Sequence, residues 1–170
     1  DPTLYEYYNA GDDNDSYIAG GIWWAQTFPP STSHTITSVK VKLWEDVGTP
    51  GTGTISIRAT DTNATPTGAD LVSNTLDGAT IGLSPGSWFE ITLGAGTLLS
   101  ASTKYAIVLW DTNSDASPWL YWRMDNTSPT YTGGNIETST DQGATWTANT
   151  GVDMMFEDWG PPAIIITEVL

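Results

Sequence analysis

The sequence predicts an all-β protein. The expected architecture is a two-sheet antiparallel β-sandwich or jelly roll over residues 1–160, then a Pro-Pro spacer and an apolar strand over 161–170. Three observations lead there. No stretch carries the 3.6-residue period of an amphipathic helix; apolar residues alternate or cluster in short runs. Gly, Pro, Asn, Asp and Ser stand between those runs, where turns need them. Threonine occurs 27 times in 170 residues, and its β-branched side chain favours a pleated strand over a helix.

In chain order the runs place strands at 4–8, 17–28, 35–45, 53–61, 71–75, 87–93, 104–111, 119–124, 135–139, 152–157 and 163–169. Within 35–45, Val39, Val41 and Leu43 share one face and Ser38, Lys40 and Lys42 the other. Ile55 and Ile57 flank Ser56 in the same way. The segment 105–110 is apolar on both faces, which predicts a central strand. Turns are expected at Gly48–Gly51, Pro66–Gly68, Pro85-Gly86, Gly133-Gly134 and Gln142-Gly143.

Charge narrows the functional classes. Twenty Asp and Glu stand against five Lys and Arg, for a formal net charge of −15. Nucleic acid and anionic membrane surfaces are therefore not expected partners, because both require clustered cations. No cysteine is present, so disulfides, thiol catalysis and zinc–thiolate sites are excluded, and the single histidine, His34, leaves no imidazole cluster. The longest apolar stretch, 163–166, is far too short to span a membrane. A start at Asp1 rather than Met is read as the mark of a processed, secreted product.

Several segments carry a resemblance. They are Trp24-Ala25-Gln26-Thr27-Phe28 followed by 35–43, Ile55-Ser56-Ile57 with Asp61 and Pro66-Thr67-Gly68, and Leu98 and Ser100 with 103–108. Together, over roughly residues 20–160, they resemble the choice-of-anchor R type of β-sandwich module, found in prokaryotic surface proteins and phage- or virus-associated structural proteins. The resemblance implies a non-catalytic, jelly-roll-like module located extracellularly, at a cell surface or in a virion. The final apolar run departs from that pattern, standing where a sorting motif or anchor is expected.

The chain offers little for catalysis. His34 lies in the turn-like Ser31-Thr32-Ser33-His34 and is expected to be solvated, which leaves a serine nucleophile without a base. Most acids fall in turns; Glu90 and Glu157 are the strand acids expected to face inward, and no enzyme activity is predicted. No cofactor is required, but a structural Ca²⁺ has two candidate loops. Asp111, Asn113 and Asp115 have the alternate spacing that points oxygens at one centre, and Asp12 and Asp15 belong to a dense acidic turn. An ordinary Asx-rich turn, with no ion, is the first expectation for either loop.

Nine tryptophans are the strongest compositional signal. Trp119, Tyr121, Tyr131 and Trp146 are candidates for stacking on a glycan, with Trp119, Tyr121 and Arg123 on one strand face and Leu120 and Trp122 on the other. Trp44, Trp88 and Trp110 are expected in the core. Asn14, Asn63 and Asn126 head Asn-X-Ser/Thr triplets in expected loops, open to glycosylation in a host that performs it.

The run 163–170 is β-branched and uncharged until Glu168. Such a strand must pair, either as an edge of its own sandwich or in a neighbouring copy. In the second case Ile164, Ile165, Ile166 and Val169 are the donor residues, and head-to-tail contacts build a homopolymer. The first functional expectation is thus a non-catalytic structural subunit of an extracellular filament, surface layer or virion. A carbohydrate-binding or adhesive module is the alternative.

Overall fold

A computed structural model describes residues 1–48, 50–112 and 117–163. The described chain forms the strands β1 (Thr3–Tyr8), β2 (Asn14–Ile18), β3 (Trp23–Phe28), β4 (His34–Glu45), β5 (Thr52–Thr60), β6 (Pro66–Asp77) and β7 (Ser87–Leu99). They are followed by β8 (Tyr105–Asp111), β9 (Leu120–Asp125), β10 (Ile136–Ser139), β11 (Thr147–Asn149), β12 (Asp153–Met154) and β13 (Phe156–Gly160). A 3-10 turn, Gly78–Thr80, is capped by the Asp77 carboxylate, which accepts from the Ala79 amide. No helix among the described residues is long and apolar enough to cross a membrane.

Two antiparallel sheets pack face to face, so the predicted β-sandwich is the fold observed. The seven-stranded sheet runs β1-β13-β4-β9-β12, with β2 on β9 and β7 on β4; the six-stranded sheet runs β11-β10-β3-β8-β5-β6. Alternation sets the layers. Val39, Val41 and Leu43 of β4 and Ile55 and Ile57 of β5 are all fully buried between the sheets. The doubly apolar segment becomes β8, flanked by β3 and β5. Trp122 is fully enclosed and its indole N–H donates to the Met155 carbonyl at 2.9 Å, which satisfies the polar edge of the largest core side chain.

Several expectations about the elements are corrected, among them 152–157, which divides at Met155 into β12 and β13. The run 17–28 is two strands, because the chain reverses at Gly20 (φ +39°), where the Ile22 amide bonds the Ala19 carbonyl. The reversal sends β2 to one sheet and β3 to the other. β6 and β7 are longer than 71–75 and 87–93, since irregular register between Ile57 and Ala59, and between Ile36 and Ser38, lets pairing resume beyond each bulge. The short strand β11 had no sequence signal. The expected strand 163–169 lies, apart from Ala163, outside the described residues. The sandwich ends with β13, and Pro161, Pro162 and Ala163 follow as exposed chain.

Candidate functional site

The outer face of the seven-stranded sheet collects aromatic and charged side chains in two cross-strand rows. Tyr17, Tyr121 and Trp44 stand opposite one another on β2, β9 and β4. Trp44 and Tyr121 stack at 3.8 Å with an interplanar angle of 5°, and Tyr17 stacks on Trp119 at 4.8 Å. The Tyr121 hydroxyl donates to Asp46. In the next row Arg123 donates to Asp12 at 2.9 Å and to Asp15 at 3.0 Å, Lys42 donates to Asp12 at 2.8 Å, and the Trp44 indole N–H donates to Asp15. Burial opposes ionisation of Asp12, yet the bonds and charges of Lys42 and Arg123 outweigh it and hold the carboxyl below the usual range.

Asp12 and Asp15 therefore serve two side-chain cations. A calcium ion bound there would sit against an ammonium and a guanidinium, a repulsion that hard-cation sites avoid. Among the described residues no group of three or more His, Asp or Glu side chains is placed to hold a metal. Asn113 and Asp115 lie outside the described residues; Asp111 is buried at the end of β8.

The four aromatics proposed for glycan stacking are not brought together. Trp119 and Tyr121 share the face just described, with Arg123, as the alternation predicted, while Leu120 and Trp122 point into the core. Tyr131 walls the core instead: its ring meets Phe156 edge-on at 5.4 Å, and its hydroxyl donates to Glu6 at 3.0 Å. Burial pushes that phenol far above its ordinary range. Trp146 belongs to the opposite side of the molecule, packed on Ala25, Ala106 and Val108 of the six-stranded sheet. Trp44, Trp88 and Trp110, expected in the core, lie on the outer faces, Trp44 and Trp110 stacked and Trp88 beside Lys42, because their strands present the aliphatic alternate residues inward.

The outer face of the six-stranded sheet has its own order. Trp23 of β3 stacks on Trp110 of β8 at 4.5 Å, and the Arg58 guanidinium lies 5.3 Å and 5.4 Å from the two ring centres while pairing with Asp70 at 2.7 Å. Beside them runs a row in register across the sheet in which Glu137 is flanked by smaller residues: Ala148, Glu137, Ala25, Val108, Ser56 and Ser73. The loop from β10 to β11 folds back over this face. Its Asp141 carboxylate accepts from Ser139 and from the amide and hydroxyl of Thr145, which holds the carboxyl down to about 2. Gly143, at φ +82°, lies so close to the Trp23 ring that a Cβ would approach within 2.7 Å.

Inside the sandwich, the end formed by β1, β4 and β13 holds a buried pair. His34 is not a solvated turn residue. As the first residue of β4 it faces inward, 5 % exposed, with Nε2 at 2.9 Å from Asp158, Nδ1 at 2.9 Å from the Thr32 carbonyl, and Tyr5 stacked on its ring at 3.8 Å. Both ring nitrogens face acceptors, which selects the imidazolium; burial opposes that charge, but the Asp158 bond prevails and raises the pKa. Glu90 and Glu157 do not face inward. Glu90 is exposed and accepts from Ser38, and Glu157 accepts from Asn9 and Trp159 on the outer face. The buried acids on this sheet are instead Glu45, Asp125, Asp153 and Asp158, with Glu6 partly buried near Asp158, none of which the sequence singled out.

Asn14, Asn63 and Asn126 are all exposed; Asn14 opens β2 rather than lying in a loop. Against known proteins, the chain matches no family model and no curated protein sequence.

Proposed function

We propose that this chain is a non-catalytic structural subunit of an assembly outside the cytoplasm, a filament, surface layer or virion, in which the apolar run of one copy adds as a strand to the sandwich of the next. The observation that carries this reading is the position of β13. It is hydrogen-bonded on both sides, to β1 and to β4, so no open edge lies beside the strand that precedes the run. Two prolines then lead away from it, without amide donors that could continue the ladder. Leu98, 67 % exposed, lines a groove at the exit together with Tyr5, Thr35 and Pro161, an apolar surface at the end where copies would meet.

The test is sedimentation and negative-stain electron microscopy of the full chain beside a chain ending at Gly160, with Ile165→Asp and Ile166→Asp as point variants. Assemblies from the full chain, and folded monomers from the other three, support strand exchange. Monomers throughout, or unfolding of the point variants, overturn it.

A glycan-binding or adhesive role is a second reading, favoured by the partly exposed Tyr17 and its stack with Trp119. It requires that Trp119→Ala and Tyr17→Ala abolish retention on a glycan array while leaving the fold intact.

A further inference from the structure

Glu137 is the anomaly of the molecule. It sits in the middle of β10 on the outer face of the six-stranded sheet, yet its relative exposure is 0 %, and neither carboxylate oxygen has a hydrogen-bond partner. Its neighbours in register are Ala148 of β11 and Ala25 of β3, which offer no side-chain donor. The nearest hydroxyl in the same row, that of Ser56, is three strands away, about 14 Å at the usual strand spacing. What covers this face is the β10–β11 hairpin. Trp146 packs on Ala25, Ala106 and Val108, and Gly143 rests on Trp23.

An ionised carboxylate in such a place has lost its water and gained nothing in return. A neutral one is tolerated. The energetic conflict therefore depends on the proton, and the element that can resolve it is the one that excludes water. β11 is three residues long, exposed at each of them, and pairs only with β10, so lifting it breaks few strand bonds. The loop it belongs to is braced through Asp141, Ser139 and Thr145, and a backbone bond from the Gln142 amide to the Gly21 carbonyl is the tether that lifting must break.

We propose that the loop after β10, together with β11, is a proton-operated latch: it seats Trp146 over the six-stranded sheet while Glu137 is neutral, and lifts when Glu137 ionises, β10 staying paired to β3. Burial, the main influence, and the charge of Asp61 push the Glu137 carboxyl up to about 7, with Lys104 acting in the opposite direction. Of the other charged groups on this face, Arg58 is neutralised by Asp70, and Asp141 stays ionised within its own loop. From β3, Trp23, Ala25 and Thr27 face Glu137, and from β11, Ala148, none of them titratable. An open latch exposes Ala25, Ala106 and Val108, an apolar strip fit for contact with another surface.

The experiment is ¹⁹F NMR of the full chain labelled with 5-fluorotryptophan, with the Trp146 signal assigned by its loss in Trp146→Phe. Between pH 5 and pH 9 that signal should move from a buried to a solvent-exposed shift, with a midpoint near pH 7. In Glu137→Gln and Glu137→Leu it should stay at the buried position throughout. The signals of Trp44 and Trp122, on and under the other sheet, serve as internal controls and should not follow the transition. A Trp146 signal that does not titrate, or that titrates equally in both Glu137 variants, overturns the latch.

Discussion

Two regions of this sandwich each bury a carboxylate completely, and they handle it in opposite ways. At the β1–β4–β13 end, Asp158 is met by His34, whose second nitrogen and ring face are engaged in turn by Thr32 and Tyr5. On the outer face of the six-stranded sheet, Glu137 is met by alanines. The first acid locks two strands together and stiffens the end of the domain. The second leaves its hairpin dependent on a proton. A buried charge is thus neither stabilising nor destabilising in itself; the sign depends on what the neighbouring strands bring to it.

The largest expected effect tests the matched pair. His34→Ala leaves Asp158 buried without a counter-charge and should cost about 3–5 kcal/mol in urea unfolding at pH 6. A cost below about 1 kcal/mol would show that the pair is no better than a surface contact.

Next comes the unmatched acid. Its folded-state pKa, about 7, lies above the unfolded value of 4.5. Its stability contribution is therefore fully present below pH 4.5 and is lost as the pH rises through 7. Glu137→Gln should leave stability at pH 5 nearly unchanged and raise it at pH 8.5 by on the order of 2–3 kcal/mol. Equal effects at the two pH values would remove the contrast between the regions.

Asp153, pushed up to about 6 by burial, and His34, raised by Asp158, have the same sign. The melting temperature of the unaltered chain should accordingly fall from pH 5 to pH 8.5, a trend read directly by calorimetry.

Smaller changes belong to the open face of the seven-stranded sheet, where charges are matched but partly wet. Arg123→Ala frees Asp12 and Asp15 and should cost about 1–2 kcal/mol, an effect that added salt reduces. Tyr17→Ala, which removes one ring from the stacked row, should cost only about 0.5–1 kcal/mol.

The pattern of legibility follows from what a two-residue period contains. It separated Val39, Val41 and Leu43 from Lys40 and Lys42, and Trp122 from Trp119, Tyr121 and Arg123, and each set lies on one face in the structure. The double apolarity of 105–110 correctly marked a central strand. The same reasoning misplaced Trp44 and Trp110, because bulky apolar character suggested the core, whereas stacking on Tyr121 and Trp23 shelters these rings outside it. The reversal at Gly20 was written in its glycine pair but was overridden by the β-formers on either side. Glu137 had a local signal too, in the Ser139-Thr140-Asp141-Gln142-Gly143 turn that follows it. That turn announces a hairpin without saying which face the hairpin covers.

Strand content, the alternation within each strand, the turns and the excess of negative charge are local properties, encoded by neighbouring side chains and so readable along the chain. Which acid finds a cation and which is sealed without one depends on strands distant in sequence. Asp158 meets His34 across 124 residues, and Glu137 is closed over by a loop tied elsewhere in the fold. Burial and pairing are set by surface that is withdrawn from water only when both sheets have come together, and no stretch of sequence contains that surface by itself.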